Sequence, residues 1–146
     1  FRVENTRMHW DFLCEINNQI CVVEFDGDLH YRDSLLIMRD RKKDTIAAKL
    51  NYKTIRIPYW VQLNNVTSKF FFGIECNIKQ DFNHGFIKTK VFPASFCQLG
   101  LERFENEYLK YPNEIQLQTQ QSLRDRINEY GEEFVITSGL KNILNL

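Results

Sequence analysis

What this sequence has little of sets the first limits. It carries no excess charge: nineteen Lys and Arg residues stand against nineteen Asp and Glu, for a formal net charge of zero. Whole-molecule charge therefore offers a polyanion no attraction, and any such case must rest on local clustering. The four cysteines, Cys14, Cys21, Cys76 and Cys97, are far apart, with no C-x-x-C pair and no histidine at zinc-finger spacing, which argues against a structural zinc site. Four reduced, mostly buried thiols are expected. No apolar run approaches a membrane span, and the opening "FRVENTRMHW" has neither the basic head nor the apolar stretch of a signal peptide. A soluble, cytoplasmic protein with no membrane partner is the expectation. No repeat, low-complexity tract or Pro/Gly/Ser linker divides the chain, so a single domain over residues 1–146 is expected. The chain opens on Phe1 and not Met, as a processed or fragmentary product does.

What is present is enough apolar material for a sizeable core: 43% of the 146 residues are hydrophobic and 14% aromatic. "MHWDFLC" (8–14) and "QICVVEFD" (19–26) read as two strands joined by the turn-like "EINN", an antiparallel hairpin. Asp33 or Ser34 can cap a helix through "LLIMRDRKKDTIAAKL", with Asn51 placed to end it in a left-handed cap. In "YKTIRIPYW", Ile55 and Ile57 alternate with Thr54 and Arg56, a third strand ending at Pro58. The unit is β-β-α-β. Residues 64–93, with "SKFFFGIECNIKQDFNHGFIKTKVFP", read as loop plus short strands. From Ala94 the pattern turns helical: Phe96, Leu99, Phe104 and Leu109 mark one helix face, and Ile115, Ser122, Leu123 and Ile127 a second helix after Pro112. "SGLKNILNL" closes the chain as an apolar tail that docks onto the core. Trp60 is expected in the core, and His9 and His84 are expected to be structural.

Side chains alternate faces along a strand, so Val22, Glu24 and Asp26 share one face of the second strand. If "MHWDF" pairs with it, Asp11 stands beside Glu24, and two acids so close raise each other's pKa unless a cation intervenes. Hard oxygen ligands gathered in this way suit Mg²⁺ or Mn²⁺. Gly27 is expected to let the chain turn sharply, bringing His30 within reach as a base. On the following helix Leu36, Lys43, Ala47 and Leu50 form a stripe with Asp40 beside Lys43. Burying those charges is costly without partners, so a polar centre near the strand ends is expected. From Arg39 to Arg56 seven basic residues stand against two acidic ones, a local cluster suited to a phosphate backbone. Taken singly, each feature has a plainer reading: D-G-D as a turn, His30 as a satisfied histidine, the basic helix as a solvated face. Their joint order carries the functional reading.

That order resembles the PD-(D/E)XK, or restriction-endonuclease-like, nuclease superfamily, in its branch around very short patch repair endonucleases and their phage and bacterial relatives. Those relatives read R-x-x-x-D-F, then I-E-x-D-G-x-x-H-Y, then a R-D-x-x-K helix, then a strand like I-R-I-P-Y. The matching stretches here are "RMHWDF", "VVEFDGDLHY", "RDRKKDTIAAKLNYK" and "TIRIPYW", covering roughly residues 7–60. The resemblance implies an α/β (α+β) fold: a mixed β-sheet flanked by helices as the catalytic core (1–62), followed by a variable, partly helical extension (63–146).

It further implies a magnesium-dependent endonuclease hydrolysing DNA phosphodiester bonds in restriction, homing or repair, with Asp11, Glu24 and Asp26 as metal ligands. Asp26 stands where many members carry the catalytic lysine; Lys43 is the candidate replacement and His30 the candidate base. Arg39, Lys42, Lys49 and Arg56 are the candidate nucleic-acid contacts, with Arg56 either holding a phosphate or bracing Glu24. Members often place a helix with a further acid before the first strand, so either such a helix lies outside this sequence or the site is a reduced one. The alternative readings are an inactive nucleic-acid binder and a subunit whose partner, or second copy in a homodimer, supplies specificity.

Overall fold

The computed structural model of the protein describes residues 2, 7–78, 85–86 and 89–146. β1 (Phe12–Ile16) and β2 (Gln19–Asp26) form an antiparallel hairpin in which Ile16 faces Gln19 and Phe12 faces Val23. Its loop is two residues, Asn17 and Asn18, both at positive φ (50° and 63°). Such a loop matches the twist of the flanking strands, and asparagine tolerates that conformation better than most residues. This corrects the expected hairpin. The tight loop draws Glu15 and Ile16 into the ladder, and residues 8–11 precede the strand, with only an isolated bridge between His9 and Arg2.

A parallel neighbour requires a crossover. α1 (Leu29–Arg32) and α2 (Ser34–Lys49) supply it, and β3 (Lys53–Pro58) returns beside β2, giving a three-stranded mixed sheet ordered β1-β2-β3. Of the two expected caps α2 uses Asp33, whose carboxylate accepts the Leu35 and Leu36 amides at 2.9 and 3.3 Å. Asn51, at φ 59°, lies just past its end as expected. Gly27 does not play its expected part. It has no positive φ and nothing crowds the place of a Cβ, because the chain leaves β2 through a helical turn in which the His30 amide donates to the Gly27 carbonyl at 3.1 Å.

Alternation splits β2 between two environments. Cys21 and Val23, with Ile55 and Ile57 of β3, enter the main core, while Val22 packs with Trp10 and with Ala47 of α2. α2 buries Ile37, Asp40, Lys43 and Ala47, so Ile37 takes the place expected of half-buried Leu36; it keeps the three-to-four-residue spacing with Asp40.

The second half is more helical than expected. α3 (Asn65–Phe72) occupies part of the stretch read as loop and strands. Its start is fixed by a reciprocal cap: the Thr67 amide donates to Asn64 Oδ1 at 2.9 Å, and the Asn64 amide donates to the Thr67 hydroxyl at 2.6 Å. Much of the remaining stretch, His84 included, lies outside the described residues.

α4 (Gln98–Lys110), α5 (Asn113–Tyr130), α6 (Glu132–Val135) and α7 (Ser138–Leu144) complete the chain. α4 buries Gly100, Phe104 and Tyr108, four residues apart, which leaves Leu109 on the exposed side and corrects its expected place on the apolar face. α5 buries Ile115, Ser122 and Leu123, and α7 docks through Leu140 and Leu144, both as expected. The two halves share one core. Trp60, fully buried as expected, meets Phe104 and Tyr111 at ring-centroid distances of 4.7 and 5.4 Å. Such aromatic pairs each contribute about 0.5–1.5 kcal/mol beyond their burial. All four cysteines are free, and only Cys21 is buried; Cys76 is exposed, because it follows α3 on an open segment. Among the described residues no helix is long and apolar enough to cross a membrane.

Candidate functional site

The strand face that begins apolar at Val22 turns ionic two residues later. Glu24 and Asp26 are both buried against α2, which meets them with Lys43 and Asp40. Lys43 Nζ forms an ion pair with Glu24 Oε2. On the other side of Glu24, Asp11 stands alongside as expected, although it lies just before β1 and not in the ladder: the Asp11 amide donates to Glu24 Oε1 at 3.2 Å, and the Phe25 amide donates to Asp11 Oδ2 at 2.8 Å. Asp11 itself is exposed. Burial raises the pKa of Glu24, and Asp11 adds to the rise; Lys43 and Arg56 oppose it without overcoming it. A buried acid, a lysine and a solvent-facing acid thus stand together beside β2.

Asp26 has a different company. Arg56, directly across the parallel ladder from Glu24, donates from Nη1 to Asp26 Oδ1 at 2.8 Å and from Nη2 to Asp44 Oδ1 at 2.8 Å. Its Nη1 lies 4.0 Å from Glu24 Oε2, so of the two roles expected for Arg56 the geometry shows a bracing one, directed mainly at Asp26 and Asp44. Arg103 of α4 forms a second ion pair with Asp26 and donates to Asp40 Oδ2 at 2.9 Å. His30 Nδ1 lies 2.6 Å from Asp40 Oδ2 and 3.1 Å from Asp26 Oδ1. Carboxylates only accept, so Nδ1 carries the proton and Nε2 is the basic atom of the neutral ring. Burial works against the charge of Asp40, but the His30 hydrogen bond and the nearby Arg56 and Arg103 charges outweigh it and lower its pKa.

The expected metal set of Asp11, Glu24 and Asp26 is therefore divided. Among the described residues the three side chains gathered closely enough to share an ion are Asp26, His30 and Asp40, with ligand atoms within 4.8 Å of one another. The Asp26 and Asp40 carboxylates already accept from Arg56 and Arg103. A dication entering there has to displace a guanidinium or the Nδ1 proton. The other expected nucleic-acid residues, Arg39, Lys42 and Lys49, are exposed on α2.

Arg103 and Glu107 are the participants that sequence reasoning missed. Arg103 Nε donates to Glu107 Oε1 at 2.8 Å, its guanidinium lies 4.8 Å from the centroid of the Tyr31 ring, and the Tyr31 hydroxyl donates to Glu107 Oε2 at 2.5 Å. A signal was available: Arg103 and Glu107 sit one turn apart beside Phe104, a charged pair on the apolar side of a helix. Gly100 lets them arrive. A Cβ there would stand 1.8 Å from the Tyr31 carbonyl oxygen, so only glycine allows α4 to close on α1 and deliver Arg103 to Asp26.

No family model, no curated protein and no solved structure matches this chain.

Proposed function

We propose that the protein is a metal-dependent endonuclease that hydrolyses DNA phosphodiester bonds, with a restriction-endonuclease-like core and a site composed of Asp11, Glu24 and Lys43. The observation that carries this reading is the buried Glu24 carboxylate, raised in pKa between Lys43 and the exposed Asp11. Two hard oxygen donors facing the single charge of Lys43 fit Mg²⁺ or Mn²⁺. When bound, such an ion activates water and offsets charge on phosphate oxygens. The chain's own residues do the rest. Asp11 and Glu24 hold the ion; Lys43, oriented by Glu24, stabilises charge at phosphorus. His30, with Nδ1 fixed by Asp40 and Asp26, presents Nε2 as a proton acceptor. Arg39, Lys42 and Lys49 hold the phosphate backbone, while Asp26 anchors Arg56 and Arg103.

Nicking of supercoiled DNA with Mg²⁺, Mn²⁺ or EDTA, with Glu24→Gln run alongside, tests the reading. Metal-dependent cleavage reduced to background in Glu24→Gln supports it; undiminished cleavage in that variant overturns it. One observation favours a second reading, a nuclease-like fold that binds nucleic acid without cutting. Asp26, Lys43 and Arg56 are already satisfied by protein partners. On that reading binding falls steeply with salt and needs no divalent ion.

A further inference from the structure

β3 is an edge strand, and among the described residues no strand pairs with its outer side. The Tyr59 amide donates to the Asp26 carbonyl at 2.9 Å as the chain leaves β3. In a parallel pair alternate residues turn their N–H and C=O toward the neighbouring strand, so Lys53, Ile55 and Ile57 pair with β2, and the backbone groups of Thr54 and Arg56 face outward. A cavity of about 390 Å³ lies on this side, lined by the four consecutive residues Lys53, Thr54, Ile55 and Arg56. Consecutive side chains point to opposite faces, so a cavity that meets all four runs along the strand's edge. Its opposite wall is aromatic, with Phe70 of α3 40% exposed and Tyr111 beside it at a ring-centroid distance of 5.2 Å.

The charges along this groove are lopsided. Asp44 is engaged by Arg56, and Glu107 by Arg103 and Tyr31. Lys53 and Lys110 also line it and are exposed, and among the described residues neither is paired with an acid. The edge thus lies in a trench with an apolar wall and cationic rims. We propose that the groove binds an extended peptide segment of a partner protein, carrying acidic and apolar residues on the face it turns to the aromatic wall, which adds a fourth strand to β3. The peptide backbone hydrogen-bonds Thr54 and Arg56, its apolar side chains pack on Phe70 and Tyr111, and its carboxylates meet Lys53 and Lys110. None of these contacts uses Asp11, Glu24 or Lys43, so the inference stands or falls apart from the proposed nuclease activity.

Fluorescence anisotropy with a labelled Glu-Glu-Val-Val-Glu-Glu hexapeptide, which places both residue types on each face of the strand, tests it. The companion probes are the same peptide N-methylated at alternate backbone nitrogens, a lysine-valine counterpart and an oligothymidylate. Saturable binding of the Glu-Val peptide is expected, weakened tenfold or more by N-methylation and by Lys53→Glu/Lys110→Glu. Both lysines are exposed, and an unchanged melting temperature confirms that the double variant folds. Slowed amide exchange at Thr54 and Arg56 on peptide addition is the structural readout. No saturation at millimolar peptide, equal binding of the N-methylated form, or lysine-dependent binding of oligothymidylate in its place overturns the proposal.

Discussion

Glu24 and Asp26 are two residues apart on one strand, face the same helix and are both buried, yet they are treated in opposite ways. Asp26 receives two guanidiniums and an imidazole; Glu24 receives one lysine, has Arg56 only at 4.0 Å, and has a second acid beside it. Burial alone therefore does not decide what a carboxylate does. Asp26 is neutralised within the fold, so removing it takes a counter-charge from two half-buried guanidiniums at once. Glu24 is left short of positive charge, so an added cation gains most there.

The largest expected effect follows from that difference. Asp26→Asn removes from Arg56 and Arg103 the carboxylate that pairs with both and leaves them only Asp40, Asp44 and Glu107, and is expected to cost about 3–5 kcal/mol, read from urea denaturation. Glu24→Gln keeps an acceptor for Lys43 and is expected to cost about 1–3 kcal/mol by the same measurement. Equal losses would erase the distinction between the two acids. Gly100→Ala comes next: its Cβ meets the Tyr31 backbone, and an overpacking loss of about 1–3 kcal/mol is expected as α4 is pushed from α1. Arg103 should then loosen, visible as weakened protection of its side-chain protons in NMR.

A smaller effect lies in pH dependence, where the two neighbourhoods have opposite signs. Asp40 has a lowered pKa, so its contribution is present above the ordinary value of 3.8 and is lost as pH falls through the folded-state pKa. Glu24 has a raised pKa, so its contribution is present below the ordinary value of 4.5 and is lost as pH rises through the folded-state pKa. Denaturation at stepped pH should show Glu24→Gln gaining on the wild type as pH climbs from 4 toward neutrality. Asp40→Asn should lose its disadvantage as pH falls below 4. A wild-type minus Glu24→Gln difference that is flat over this range would contradict the assignment.

The β-β-α-β order, the Asp33 cap, the Asn51 stop and the juxtaposition of Asp11 with Glu24 were legible because each rests on local chemistry or on the two-residue period of a strand. The polar centre was legible too, since Asp40 and Lys43 fall on the buried side of α2. What fills that centre was not. Arg103 and Glu107 arrive from more than seventy residues downstream of Asp26 and His30, and nothing local to α1 or α2 announces a helix that touches them at Gly100. α3 was missed because the aromatic run Phe70–Phe72 resembles strand material, while the Asn64 and Thr67 cap, which sets the helix, is a pair of polar residues that also suits a loop. Leu109 was misplaced by following apolar letters when the buried spacing was Gly100, Phe104 and Tyr108.

The most direct measurement is Mn²⁺ binding by calorimetry to the wild type, Asp11→Asn, Glu24→Gln and His30→Ala, with the melting temperature followed in the same samples. At ten times its dissociation constant a bound ion should add about 1.4 kcal/mol of stability. The account predicts that Asp11→Asn and Glu24→Gln lose both the binding and this stabilisation while His30→Ala keeps them. Binding that survives Glu24→Gln and vanishes in His30→Ala would place the ion among Asp26, His30 and Asp40 and contradict the account.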